Sequence, residues 1–292
     1  MRHFKQITVI GLGLLGSSVC LAVSRRVGLR GVKTAGFTHR PTTRAKARRL
    51  KIADMIFDDI RKSVADADLV ILATPICTFE NIFSEIKDAL PPGCIVTDVG
   101  STKILPCKWA AKRLPKNVYY VGSHPIAGSE QRGVEFGRDD LFDGALCILT
   151  PTKSTNRRAV SVLKKFWSAL GCYVKVITPA SHDRIFADIS HLPHITAAAL
   201  VNASNAQELK FAGKGFMDTS RIASGPANIW ADVLLTNTEN ISRGIDRLTG
   251  ELSKFKKALR SGDTKKIRKL LESAVSKRQS FVKYKMTKKE LI

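Results

Sequence analysis

The stretch Gln6-Ile7-Thr8-Val9-Ile10-Gly11-Leu12-Gly13-Leu14-Leu15-Gly16 decides how the rest of the chain is read. Its first half is a run of apolar and β-branched residues of the kind that forms a strand. Its second half spaces three glycines as G-x-G-x-x-G and leads into a helical pattern, Leu14–Val27. Glycines at that spacing are a weak signal alone; between a strand and a helix they form a dinucleotide-binding fingerprint. Each has a physical task. Gly11 permits the tight turn, Gly13 lets a pyrophosphate approach the backbone, and Gly16 lets the helix pack on the strand. The anion then lies at the helix N-terminus, where free N–H groups and the helix dipole favour negative charge.

Outward from this loop, residues 6–178 alternate short β-branched runs with helical segments, the signature of a parallel α/β sheet. Strands are expected at Gln6–Ile10, Val32–Phe37, Asp68–Thr74, Cys94–Val99, Val118–Gly122, Ala145–Thr150 and Tyr173–Thr178. Helices are expected at Leu14–Val27, Thr43–Lys51, Thr78–Leu90, Lys103–Arg113 and Thr155–Leu170. After Pro179 the pattern changes. Ser181 reads as an N-cap, and apolar residues then recur at helical spacing through Ile185–Val201, Ile229–Leu248 and Leu252–Leu271. The expected architecture is a doubly wound nucleotide-binding domain over 1–179, followed by an all-helical domain over 180–292.

Composition narrows the function classes. The 292 residues include 48 Lys+Arg against 25 Asp+Glu, a net charge of +23, and 44% are hydrophobic. That hydrophobic share excludes wholesale disorder. No apolar run approaches the roughly 18 residues that a membrane span needs, so a membrane role is not expected. Residues 251–292 form a basic tail, with 14 Lys/Arg against 4 Asp/Glu. Such a tail permits nucleic-acid binding, but no aromatic-interleaved basic stripe or zinc-finger spacing accompanies it. A site for anionic substrates and phosphorylated cofactors explains the charge as well. The start shows no export signal and the six cysteines are scattered without a C-x-x-C pair, so a reduced, cytoplasmic protein is expected.

Cofactor choice is written after the second strand. An NAD site places a carboxylate there, about 20 residues beyond the glycines, to accept the ribose 2′-OH. Here the segment reads Gly36-Phe37-Thr38-His39-Arg40-Pro41-Thr42-Thr43-Arg44, with no acid. Thr38, His39, Arg40 and Thr42 offer donors to a 2′-phosphate, which favours NADP over NAD. Arg40 and Arg44 could also be solvated charges at a helix start. The cofactor-binding set is then Gly11, Leu12, Gly13, Leu14, Leu15, Gly16, Thr38, His39, Arg40 and Thr42, with Thr74 and Pro75 closing the crevice.

Two further strand ends carry chemistry. Thr97-Asp98-Val99-Gly100-Ser101-Thr102-Lys103 and Gly122-Ser123-His124-Pro125 both follow strand candidates. Ligands of open α/β sheets bind outside the carboxyl ends of strands, so Ser101 and His124 are expected at the crevice. Histidine is the default general base near neutral pH. In the helical region, His182, His191 and His194 precede Arg221. The H-x-x-H spacing could suggest metal, but no third ligand is suitably spaced; anion binding by Arg221 beside a histidine suits the residues better.

These segments together resemble the prephenate/arogenate dehydrogenase family of tyrosine biosynthesis. The resemblance rests on GLGLLGSS, TDVGSTK, GSHPIAGSEQRGVEFGRDDLF, ILTP, HDRIFADISHLPHITAAAL and GFMDTSRIAS, in order along the chain. It implies a Rossmann-like domain, a helical dimerisation domain, and oxidative decarboxylation of a cyclohexadiene substrate with hydride transfer to NAD(P). By resemblance, His124 accepts the proton of the C4 hydroxyl and Ser101 bonds both that hydroxyl and the histidine. His194 and Arg221 would bind the carboxylate-bearing part, Ser129 would join them in binding substrate, and Glu130 and Asp218 would form a polar network at the cleft entrance. The chain resembles forms without fused mutase or regulatory modules, so a monofunctional enzyme is expected.

Three alternatives stand beside this reading. Arogenate could replace prephenate, since NADP use often accompanies arogenate in the family, although the SHLPH segment resembles members that take prephenate. A β-hydroxyacid dehydrogenase would want a catalytic lysine in the helical domain and would leave Ser101 and His124 unexplained. A basic nucleic-acid-binding protein with a vestigial nucleotide fold predicts a salt-dependent shift on DNA or RNA and indifference to cyclohexadienes.

Overall fold

A computed structural model describes residues 4–128 and 131–287. Among these residues the strands are β1 (Gln6–Ile10), β2 (Lys33–Phe37), β3 (Met55–Phe57), β4 (Leu69–Leu72), β5 (Ile95–Asp98), β6 (Tyr119–Tyr120), β7 (Gly122–Ile126), β8 (Leu146–Thr150) and β9 (Tyr173–Val176). The first six form a parallel sheet in the order β3-β2-β1-β4-β5-β6. The order reverses at β1, between β2 and β4, which opens a crevice at the strands' carboxyl ends. Both faces are covered, as a parallel sheet requires. Ile7 and Val9 pack with Val19 and Val23 of the helix Leu14–Arg25 on one face. Ile10, Val70 and Leu72 pack with Phe79, Phe83 and Ile86 on the other. The helix Phe79–Ile86 buries Phe79, Ile82, Phe83 and Ile86, one stripe at helical spacing.

Residues 122–176 depart from the single parallel sheet expected. They form a second sheet in the order β7-β8-β9, with β7 and β8 antiparallel and β8 and β9 parallel. One residue, Val121, separates β6 from β7, so the strand expected at Val118–Gly122 breaks and switches sheets. Pro125 makes the Gly122–Ile126 segment look like a loop. In fact it lies on the edge strand of the second sheet, where a missing N–H is tolerated. His124 therefore sits in the middle of a strand rather than beyond its end. The three-residue β3 and the short helix Ile60–Val64, capped by the Asp59 carboxylate, also lay outside the sequence reading.

After Val176 no strand occurs among the described residues. The helix Pro179–Phe186 starts on Thr178, whose Oγ1 accepts from the Ser181 N–H at 3.1 Å, with Pro179 in the first turn. Thr178, not Ser181, is thus the N-cap. A π-helical turn, Ala187–His191, joins it to the helix Leu192–Ala203. Pro193 has no N–H to give to the preceding turn, which gives a local reason for the widened turn.

By compactness the chain divides into residues 1–241 and 242–292. The second unit holds most of the helix Thr238–Arg260 and the helix Thr264–Thr287, joined by a turn in which Gly262 takes a φ of 63°. No helix among the described residues is long and apolar enough to cross a membrane.

Candidate active site

The crevice at the end of β1 is a cavity of about 620 Å³. Gly11, Leu12, Gly13, Leu15, Thr38, His39, Arg40, Thr42, Thr74, Pro75 and Ser101 all line it, drawn from the turns after β1, β2, β4 and β5. Gly11 takes a φ of +101°, and a Cβ there would meet the Ala73 carbonyl at 2.6 Å. A Cβ on Gly16 would stand 1.9 Å from the Gly11 oxygen, whereas Gly13 faces open space. These are the conditions that a pyrophosphate resting on the turn requires. Leu14 and Gly16 sit inside the helix Leu14–Arg25, behind the lining. That helix has no side-chain cap and no acid in its first turn, so its leading N–H groups can take an anion. The loop, the cavity and the helix start thus fit a dinucleotide.

The segment after β2 holds one surprise. Arg44 is not a free phosphate donor: its Nε lies 2.7 Å from Asp58, and its Nη1 donates to the carbonyls of Thr38 (2.7 Å) and His39 (3.0 Å). It braces the loop that carries the other donors. Arg40 is exposed at the start of the helix Pro41–Arg49. Lys46 pairs with Glu135 at 2.8 Å on the cavity wall. Ile229, Asp232 and Val233 of the helix Ala227–Thr236 also line the cavity. The sequence carried no local signal for these three.

Beside the crevice lies a buried polar chain. Lys103 and Asp98 are both fully buried and form an ion pair; Lys103 Nζ also donates to the Ser123 carbonyl at 2.6 Å. Tyr120 donates to Asp98 at 2.5 Å, and burial with that carboxylate pushes its phenol well above the usual range. The Thr97 and Ser123 hydroxyls lie 2.6 Å apart, and the Trp167 indole donates to Ser123 at 3.1 Å. These bonds pin the turn that carries Ser101 against the strand that carries His124.

His124 Nδ1 lies 2.8 Å from His182 Nε2, and His182 Nδ1 lies 2.8 Å from the Asp183 carboxylate. The carboxylate also accepts the backbone N–H groups of Lys103 at 2.7 Å and Ile104 at 2.8 Å. Burial is the main force on the imidazoles, followed for His182 by the Lys103 charge. Together they lower His182 to about 2 and hold His124 well below the usual histidine range. Burial raises Asp183, and the two backbone bonds oppose that shift. His182 was grouped with the other histidines in the sequence, and its neighbour Asp183 carried no assignment.

His191 and His194 go separate ways. His191 is 3.3 Å from the Asn237 amide, and burial lowers it to about 4. His194 stacks on Trp230, with ring centroids 3.6 Å apart and planes at 11°. Gly225 closes on this stack, since a Cβ there would lie 2.4 Å from Trp230 Nε1 and 2.8 Å from His194 Cε1. Asp218 and Arg221 are exposed, on the helix Lys214–Ser220 and in the turn that runs from Arg221 to Gly225. Ser129 and Glu130 lie outside the described residues.

Residues 21–176 match the family model for the prephenate dehydrogenase nucleotide-binding domain, and residues 178–273 match that for its dimerization domain. The chain belongs to the prephenate dehydrogenase family. It is 31% identical to a cyclohexadienyl dehydrogenase of Zymomonas mobilis over 90% of this chain and 91% of that one. It is 32% identical to a prephenate dehydrogenase of Bacillus subtilis over 92% of this chain and 74% of the relative. The solved prephenate dehydrogenase of Aquifex aeolicus, in complex with hydroxyphenyl propionate and NAD+, superposes with a TM-score of 0.86 at 31% identity, covering 94% of this chain and 98% of that one. Family membership makes the protein an NAD(P)-dependent oxidoreductase that uses a nicotinamide cofactor.

Proposed function

We propose that the protein oxidatively decarboxylates prephenate to 4-hydroxyphenylpyruvate in tyrosine biosynthesis. One observation carries the site assignment: Ser101 lines the same cavity as the glycine loop, and the strand bearing His124 is pinned to that turn. A nicotinamide cofactor held on the Gly11–Gly16 turn would supply the acceptor for the hydride that leaves C4 of the ring. His124 takes the C4 hydroxyl proton, Ser101 orients that hydroxyl, and the ring carboxylate leaves as CO₂ as the ring aromatises. The chain supplies position and a base. His194 on its Trp230 platform and Arg221 hold the carboxylate-bearing part, with Asp218 in the polar network. The hydroxyphenyl ligand of the Aquifex relative supports an aromatic product of this kind.

NADP is the preferred cofactor in this reading, because Thr38, His39, Arg40 and Thr42 gather at the end of β2 without a carboxylate. The reading includes a cytoplasmic enzyme, a nucleotide domain ending near Pro179, and a helical part that pairs two copies. Turnover of prephenate and of arogenate, each with NAD and NADP and followed at the nicotinamide absorbance, tests the whole. His124→Asn should keep cofactor affinity and lose roughly 10²–10⁴-fold in turnover. Near-wild-type turnover in that variant removes His124 from the chemistry, and turnover of arogenate alone replaces the substrate.

A further inference from the structure

We infer that His182 and Asp183 are positioning residues that hold His124 in the tautomer whose Nε2 carries no proton. The inference rests on His124 being the base of the proposed reaction.

The argument runs from one hydrogen bond to the next. Each Asp183 oxygen already accepts a backbone N–H, from Lys103 and from Ile104. That set of donors suits a carboxylate, which can only accept. His182 Nδ1, at 2.8 Å, must therefore be the donor in their contact. A neutral imidazole has one N–H, so with Nδ1 protonated His182 Nε2 holds a lone pair. His124 Nδ1, at 2.8 Å from that lone pair, must then donate to it. By the same count His124 Nε2 is left bare, and a base needs that atom free. The opposite tautomer would place two lone pairs face to face across 2.8 Å in a buried site.

The rings are held as well as their protons. His182 stacks on Phe186, with centroids 4.5 Å apart and planes at 20°, and is fully buried. Phe186 also flanks His124 at 4.9 Å. Asp183 is adjacent in sequence to His182 and anchored on the first residues of the helix that follows Ser101. The donor geometry is thereby tied to the turn that carries the substrate-facing hydroxyl. When His124 takes a proton at Nε2, its Nδ1–H still points at His182, whose far nitrogen leans on the carboxylate. Orientation and tautomer control by a second group is known to be worth several orders of magnitude where a histidine is the base.

Asp183 is a poor probe because it also caps the backbone at Lys103, so the test falls on His182. His182→Leu removes the acceptor and keeps an apolar partner for Phe186. His182→Gln keeps an oxygen that can receive the His124 Nδ1–H. We expect the leucine variant to lose about 10²-fold in kcat, with the KM for prephenate within about threefold. The glutamine variant should recover at least tenfold of that loss. Equal losses in both variants, or a loss confined to KM, would overturn the positioning role.

A second readout needs no substrate. Long-range proton–nitrogen spectra of histidine-labelled protein, which has six histidines, report each tautomer directly. His124 and His182 should both carry the proton on Nδ1, and His124 should shift toward the Nε2–H form in His182→Leu. A wild-type His124 protonated on Nε2 refutes the inference. If the wild-type protein shows the stated tautomers yet does not turn over prephenate, the proposed reaction falls and the tautomer assignment stands.

Discussion

Gly225→Ala is the most discriminating single change available. The backbone there has a φ of −61° and ψ of 153°, a conformation alanine adopts freely, so the added methyl acts by volume alone. Its Cβ would stand 2.4 Å from Trp230 Nε1 and 2.8 Å from Trp230 Cδ1 and His194 Cε1, where ordinary contact begins at 3.4 Å. The indole must withdraw by about 1 Å and the imidazole by about 0.6 Å, a difference of those same distances. The two rings stack at 3.6 Å, so they have to move together or part. Overpacking of this size costs about 1–3 kcal/mol where neighbours cannot yield. Trp230 is only half-buried, so the indole can relax toward solvent and stability should fall toward the low end, although His194 is buried. Function should suffer more, because a 1 Å misplacement of a binding group can cost about 10²-fold. We expect kcat/KM for prephenate to drop 10- to 100-fold, mostly through KM, with cofactor affinity unchanged. Steady-state kinetics with a cofactor titration by fluorescence decide it. An unchanged KM would show that the His194–Trp230 stack plays no part in substrate binding.

Further outcomes follow from other parts of the structure. Arg40→Ala should weaken NADP binding by roughly tenfold, an exposed charge being partly screened, and leave NAD binding nearly unchanged; equal effects on both cofactors contradict the phosphate role. Acid should destabilise the fold from pH 6.5 downward. His182 and His191 sit at about 2 and about 4 when folded, against about 6.5 when unfolded, so the unfolded chain takes up protons first. Each contributes stability that is present above pH 6.5 and lost toward its folded value, at up to about 1.4 kcal/mol per pH unit. Asp183, raised by burial, acts in the opposite sense nearer the carboxylate range. The melting temperature should fall between pH 6.5 and 5, less steeply in His191→Asn; a rise over that window would contradict the burial of neutral histidines. Leu235, Leu259 and Phe281 are 70%, 66% and 50% exposed, which suits a homodimer built through the helical region. Light scattering at micromolar concentration should give twice the chain mass, and a monomer would refute the pairing.

Much of the fold was legible because the signals that carry it are local. The G-x-G-x-x-G turn, the β-branched runs of β1, β4 and β5, and the stripe of Phe79, Ile82, Phe83 and Ile86 depend on neighbours within a turn or a strand. So did the position of Ser101 in the crevice, since it follows directly from the end of β5. Interactions between distant residues were not legible. Pro125 reads as a loop until β8 pairs with its strand from 22 positions away. Arg44 reads as a solvated charge at a helix start until Asp58, 14 positions on, takes its guanidinium. His124 and His182 are 58 positions apart. The sequence nominates each as a histidine of the right kind, but which nitrogen holds the proton depends on the atom opposite. That atom is supplied by packing of the helix Pro179–Phe186 against β7 and the start of the helix Ile104–Arg113, because hydrogen-bond roles are set by distance in space rather than along the chain.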